Sequence, residues 1–482
     1  MKILPALIGG EPATAASGET IEAINPATGE TLAGFPRFAA DDVDRAVQSA
    51  RDAQPGWRAM GPLERAAMVG EIADAVLEHA EELARLDVAD NGSPIREMRR
   101  DAGIAAGQLR YFAGLALQLR GETIPSGYDR LDYTLREPFG VVGRIIPFNH
   151  PLMFAAGRLG APLIAGNTVV LKPSEHTSLS ALKLAELLAD IVPPGVVNVI
   201  SGYGNEAGDA LVAHPDVRRI AFIGSVPVGR AIQQRAATHT VKTVTLELGG
   251  KNPIVVFPDA DLDAAVDGAL RGMNFTWQGQ SCGSTSRLLV HASQHDSFVE
   301  RLAARMESMR HGMPDDEATE TGAIVHRGQF NKVVGYVRLG REEGARVVAG
   351  GGPPEDRALK NGLFVRPTLF DGVRPDSRLA SEEIFGPVLA AMPFESYDEA
   401  LAIANGLNYG LSASVFTNDL RTAHRFARDV QAGYVWVNDS SVHFPGTDFG
   451  GVKDSGVGRE EGFQELLGYT QSKNVNLRFG SR

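Results

Sequence analysis

A single cysteine, Cys282, stands among 482 residues. One thiol excludes an intrachain disulfide framework and leaves nothing with which to build a thiolate zinc site or an iron–sulfur cluster. Basic residues are also short: 47 Lys and Arg face 59 Asp and Glu, a formal net charge of −12. A general nucleic-acid binder needs a basic face to neutralise phosphates, and none is evident. Long apolar runs are missing as well. None reaches the roughly 18 residues of a membrane-spanning helix. The opening MKILPALIGG, broken by a proline, is too short in its apolar stretch for a signal peptide. These absences predict a soluble, cytoplasmic protein with no nucleic-acid or membrane partner. At about one to two hundred residues per domain, the chain divides into about two to four domains and buries a large core.

What is present begins with glycine, 54 residues, well above the usual share of roughly 7%. The surplus predicts many tight strand-to-helix turns. From Asp41 to about Leu119 apolar residues recur at helical spacing, and PLERAAMVGEIADAVLEHAEELARL opens with a proline suited to a helix start. GETIPSGYDRLDYTLRE, Gly121 to Glu137, reads as a protruding hairpin with too little apolar content to stand alone. After Pro138, strand-like runs at Val141–Ile146, Thr168–Leu171, Val196–Ile200, Arg219–Ile223 and Thr243–Leu246 alternate with helical runs. A second round starts at Pro253–Phe257 and continues through Arg287–His291, Ser412–Phe416 and Tyr434–Val437. Such alternation predicts an α/β fold of two doubly wound open-sheet domains, with ligands at the carboxyl ends of the strands. The expected division is 1–120 with 138–248 as one domain and 249–440 as the other. Segments 121–137 and 466–482 would form a small β element, and 441–465 a return segment.

Several residues could carry chemistry, each with a plainer alternative. Cys282, in TWQGQSCGSTS, has small neighbours that leave room for a substrate, yet an inert buried cysteine reads equally well. Glu247, at a strand end in VTLELGGKN, is either a desolvated base or a salt-bridge partner of Lys251 or Lys242. Gly224 and Ser225 open a helix in FIGSVPVG, which ends at Gly229. Backbone N–H groups there favour a phosphate, unless this is only a glycine turn. Lys172 and Glu175, in KPSE, suit a ribose, or Glu175 is an acid at a helix start. Asn149, in IIPFNHP, could donate to an oxyanion or cap the helix near Leu152. His291 and His295 lack a third ligand and read as surface histidines, so no metal site is expected.

Taken in order along the chain, PFNHP at 147–151, KPSE at 172–175, FIGSVPVGR at 222–230, ELGGKNP at 247–253, GQSCGSTSR at 279–287, EEIFGPV at 382–388 and FGGVKDSGVGREEG at 449–462 resemble the aldehyde dehydrogenase superfamily. The resemblance runs from about Gly10 to Phe479. It implies NAD-dependent oxidation of an aldehyde to a carboxylic acid, with Cys282 as nucleophile, Asn149 and the Cys282 N–H as oxyanion donors, and Glu247 as the base that activates the hydrolytic water. It implies adenosine-ribose contacts from Lys172 and Glu175, and a pyrophosphate contact from Ser225 beside Gly224 and Gly229. Glu383 would hold the nicotinamide ribose, with Ile146, Phe148 and Phe385 beside the ring. It also implies a homodimer or homotetramer built through the hairpin and last strand.

The departures are informative. Phe148 and Val226 stand where the family often has tryptophan and threonine. His150 and His443 fall at funnel positions that are aromatic in the family, near Phe449, Ser281 and Gly283, so the expected substrate carries a polar group. Glu175 favours NAD, with NADP also possible. Two other readings share this pattern: a CoA-acylating semialdehyde dehydrogenase, against which Glu247 argues, and a catalytically silent structural or binding member of the fold.

Overall fold

Runs such as TVVLK at Thr168–Lys172, buried at every position, can be satisfied only in a sheet covered on both faces. The computed structural model, which describes residues 1–479, contains two such sheets. The first orders its strands Gly456–Val457, Thr243–Leu248, Val217–Gly224, Val141–Ile145, Thr168–Lys172, Val197–Val199, Ala6–Ile8 and Glu11–Ala13. Its five central strands are parallel, with antiparallel strands at both edges. The second orders Arg346–Ala349, Thr368–Asp371, Val388–Phe394, Arg287–His291, Pro253–Val256, Ser412–Phe416 and Tyr434–Val437, all parallel except the first pair.

Helices form where caps and periodicity expect them. Pro62 and Pro151 open their helices at the first position, where a missing N–H costs nothing. Asp261 caps Leu262–Gly272 by accepting from the N–H groups of Asp263 and Ala264. The N-terminal helical region resolves into Ala40–Ala59, Pro62–Glu78, Ala80–Asn91 and Ile95–Gly114. The hairpin is short, Thr123–Ile124 against Arg130–Pro138, and its long strand pairs along its whole length with Thr470–Arg478 of the same chain. Residues 480–482 of the expected terminal element lie outside the described residues.

Three features depart from the reading of the sequence. The first 36 residues hold four strands, among them the hairpin Thr20–Ile24 with Thr31–Pro36. The second sheet gains Arg346–Ala349, Thr368–Asp371 and Val388–Phe394. The segment before the last strand is not peripheral, because Leu466 and Tyr469 are buried in the same core as Val142, Leu163 and Val217.

Candidate active site

Cys282 lies in the loop between the turn Phe275–Trp277 and the strand Arg287–His291. The amide of Asn252 fastens that loop, donating to the carbonyls of Cys282 at 2.8 Å and Ser284 at 3.0 Å, while its oxygen accepts from Ser412 N–H at 3.1 Å. Gly279 is required upstream: its φ is +65°, and a Cβ would come within 2.4 Å of the Gly386 carbonyl. Gly283 has the opposite effect. A Cβ there would meet only Ser281 Oγ, at 3.9 Å, so space stays open beside the sulfur.

Glu247 ends the strand Thr243–Leu248 and is 6% exposed, with no hydrogen-bond partner for either carboxylate oxygen. The expected salt-bridge alternatives do not form. Lys242 donates to the carbonyls of Val212, at 2.8 Å, and His214. Lys251 is buried with an unpartnered ammonium, and burial beside Arg287 pushes its pKa down to about 7. Asn149 is 3% exposed and its side-chain oxygen is also unpartnered. It does not cap the following helix. His150 occupies the cap position without a side-chain bond, and Asp87 accepts from Leu152 N–H at 3.1 Å instead.

Burial and the nearby carboxylates set the electrostatics. Desolvation raises Glu247 well above the usual carboxylate range, and the charge of Glu460 adds to it. The Cys282 thiol is pushed up to about 12 by burial and then by the charges of Glu247, Glu383 and Glu461. Both groups line one cavity of about 900 Å³, together with His150, His443, Phe449, Ser281 and Gly283. Asn149 directly precedes the lining residue His150 in the chain.

Beyond the cavity, the residues expected to hold a cofactor lie at strand ends and the segments that follow them. Lys172 is buried, its ammonium 3.0 Å from the Pro173 carbonyl and 3.6 Å from the half-buried Glu175. Ser225 stands at the cap of Val226–Ala236 with its hydroxyl not used as a cap. Gly224 gives space to the Phe222 ring, 2.3 Å from a built Cβ, and Gly229 lets its helix approach Leu248. Gly229 therefore serves helix–sheet packing. Ile146 is buried and its N–H donates to the Lys172 carbonyl. Glu383 accepts from Gly250 N–H at 3.0 Å and leaves no room for a side chain at Gly249. Phe385, at φ 57°, meets Phe148 edge to face at 5.6 Å. Its carbonyl and that of Ile384 accept from the Gln329 amide at 2.7 and 2.9 Å.

Gln329 and Lys332, whose charge opposes the burial shift of Glu383, were not foreseen. Neither lies in a recognisable short motif. Also unforeseen is the wall behind Glu247, where Arg158 is within 3.1 Å of Glu460 and 2.9 Å of Glu461, and Arg144 within 2.6 Å of Glu460. His295, expected at the surface, is buried against Asp371 at 2.7 Å, because the strand Thr368–Asp371 was not anticipated.

A family model described as "Aldehyde dehydrogenase family" matches residues 13–475. The chain is 45% identical over 466 residues to aldehyde dehydrogenase tropH of Talaromyces stipitatus, covering 95% of this chain and 90% of the relative. Among solved structures, an NAD-dependent aldehyde dehydrogenase from Sinorhizobium meliloti superposes with a TM-score of 0.97 at 42% identity, covering 100% of this chain and 96% of that one. A Bacillus cereus aldehyde dehydrogenase solved as an NAD+ complex gives 0.96 at 40%, covering 99% and 97%. With the parallel strands of both sheets, the loop of Cys282 and the strand of Glu247 inside the matched region, the chain belongs to the aldehyde dehydrogenase family.

Proposed function

We propose that the protein oxidises an aldehyde to the carboxylic acid with NAD as oxidant, through a thiohemiacetal and a thioester on Cys282. The observation that carries this reading is the pair of unpaired groups on one cavity: a thiol with open space beside it and a buried carboxylate with no partner. The residues at these strand ends suit a dinucleotide. A free serine hydroxyl and N–H groups at the start of an eleven-residue helix suit a pyrophosphate. Glu175, half-buried at a strand end, suits a ribose 2′-hydroxyl and opposes a 2′-phosphate. NAD is thereby favoured over NADP. Lys172, Glu175 and Ser225 would hold the adenosine end, and Glu383, Phe385, Phe148 and Ile146 the nicotinamide end.

The chain's own residues divide the remaining work. The thiol loses its proton to solvent, and the sulfur bonds to the aldehyde carbon. The Asn149 amide and the Cys282 N–H donate to the resulting oxyanion. Bound NAD supplies the acceptor for the hydride that leaves this carbon, so the oxygen-bearing carbon becomes a thioester. Glu247 then removes a proton from water, which attacks the thioester and releases acid and thiol. A carboxylate beside the thioester supports hydrolysis over transfer to CoA.

The same reading makes the protein a cytoplasmic homodimer or homotetramer. A nucleophilic thiol suits a reducing compartment. Exposed Ile124, Leu135 and Leu477 on the three-stranded sheet support self-association. The test is NADH formation from hexanal with and without CoA, in the parent protein and in Cys282→Ala. CoA-independent product that vanishes in the variant is expected. Strict dependence on CoA, or activity retained in Cys282→Ala, overturns the reading.

A further inference from the structure

We propose that the preferred substrate is an aldehyde with an aromatic body bearing a hydroxyl group, recognised by His150 and His443, and that carboxylate-bearing aldehydes are rejected. This rests on the dehydrogenase reading above and narrows it.

Each imidazole is held by a buried carboxylate. His150 Nδ1 is 2.8 Å from Asp101, and His443 Nδ1 is 2.9 Å from Glu461. An imidazole whose Nδ1–H donates to a carboxylate leaves Nε2 as the nitrogen that can accept from a ligand. Neither Nε2 has a protein partner among the described residues, and both rings line the cavity. Packing holds the rings in place. His150 lies 5.2 Å from Trp277 and 5.6 Å from Phe154, and His443 lies 4.8 Å from Phe449 and stacks on Tyr434 at 5.9 Å. Two oriented acceptors set among the aromatic rings of the lining select a hydrogen-bond donor on the ligand.

The size and shape of the cavity select the body that carries it. About 900 Å³ is far more than a short aliphatic aldehyde fills. Tyr111, Phe154, Trp277, Phe444 and Phe449 supply flat apolar surface. Gly103 and Gly107, one turn apart on the helix Ile95–Gly114, line the same space, and a Cβ on either would meet nothing within 4 Å.

Charge excludes an anion. Seven carboxylates and four guanidiniums line the cavity, and every guanidinium has an acidic neighbour. Arg158 is engaged by Glu460 and Glu461, Arg271 by Asp439, Arg305 by Asp267, and Arg100 lies 3.9 Å from Glu97. Among the described lining residues only Arg100, exposed and without a close ion pair, stands at the outer side of this charge pattern, and the carboxylates of Glu247, Glu460, Glu461 and Asp101 outnumber Arg158 around the reacting end and repel an anion.

The test compares kcat/KM for 3-phenylpropanal, its 4-hydroxyphenyl, 4-aminomethylphenyl and 4-carboxyphenyl analogues, and hexanal. Two methylenes isolate the ring, so the substituent leaves the carbonyl's reactivity unchanged. The hydroxyl should raise kcat/KM about three- to tenfold over the unsubstituted ring, the worth of one or two neutral hydrogen bonds. The carboxylate should lower it at least tenfold. In His443→Phe and His150→Phe the hydroxyl-to-parent ratio should fall towards one, and in His443→Gln, which keeps an acceptor, it should partly return. A carboxylate analogue equal to the parent, an ammonium analogue preferred to the hydroxyl, or a ratio untouched by both histidine variants overturns the proposal. Turnover of hexanal separates the two levels: if hexanal is oxidised and the ring substituents make no difference, only the specificity fails; if no aldehyde yields NADH, the dehydrogenase reading fails first.

Discussion

Two buried clusters of charge share one wall of the cavity and are built on opposite terms. In one, Arg144 and Arg158 are surrounded by Glu460, Glu461 and Glu465, at separations of 2.6 to 3.8 Å. In the other, Glu247, Cys282 and Asn149 share no ion pair, and the oxygens of Glu247 and Asn149 accept no hydrogen bond. The pKa directions follow. Burial would raise Glu461, but His443 and Arg158 outweigh it and hold it down at about 2. For Glu247 burial meets little opposition, and the carboxyl rises. A charge matched by partners stabilises a wall and is chemically quiet. A charge left unmatched is costly and therefore reactive, because proton transfer relieves it.

Substitutions can break this contrast. Cys282→Ala should lower steady-state NADH formation by more than about ten-thousandfold, with an unchanged urea midpoint, since it removes the nucleophile and no structural bond. Glu247→Gln should give one burst of NADH and then a steady state reduced by about a hundred- to ten-thousandfold, visible by stopped flow. Its stability should not fall. Arg158→Met should do the reverse to the fold, costing about 3–5 kcal/mol in urea denaturation because the carboxylates lose their main counter-charge. Stability loss in Glu247→Gln equal to that in Arg158→Met would erase the distinction. Asn149→Ala should reduce kcat about a hundred- to thousandfold with little change in KM for a small aldehyde.

The pH dependence should separate Glu461 from Glu247 by sign, with smaller effects, whereas burial and Glu460 raise Glu465 of the paired cluster to about 7. Glu461 is depressed, so the stability it contributes is present above about its ordinary 4.5 and is lost as pH falls towards about 2. Glu247 is raised, so the unfolded chain releases that proton first and stability declines as pH climbs from about 4.5 to its elevated value. Denaturation midpoints across this range should show a steeper decline in the parent than in Glu247→Gln, where Asp87 and Glu465, both raised to about 7, still contribute. Activity should rise over the same interval, as the base ionises.

Much of the site was legible because its residues lie in short motifs at strand ends. Cys282 among small neighbours, Glu247 before two glycines and Ser225 at a helix start can each be read from local chemistry. The alternatives could not be decided locally. Whether Glu247 paired with Lys242 depended on Val212 and His214, which take that ammonium. Whether Asn149 capped its helix depended on Asp87, 65 positions from the N–H it accepts. The first two strands, Ala6–Ile8 and Glu11–Ala13, are runs of three that carry no measurable period. The Arg158 cluster unites residues about three hundred positions apart, beyond any motif.

The sequence by itself determined that this is a doubly wound α/β chain, with its lone thiol in a small-residue loop before one strand and a carboxylate at the carboxyl end of another, because periodicity and turn chemistry act over a few residues. Only the tertiary structure decided which charges would be neutralised and which left bare, and that two histidines would face one cavity. Those outcomes depend on desolvation and on partners brought from distant parts of the chain, and a buried group's reactivity is set by what surrounds it in space.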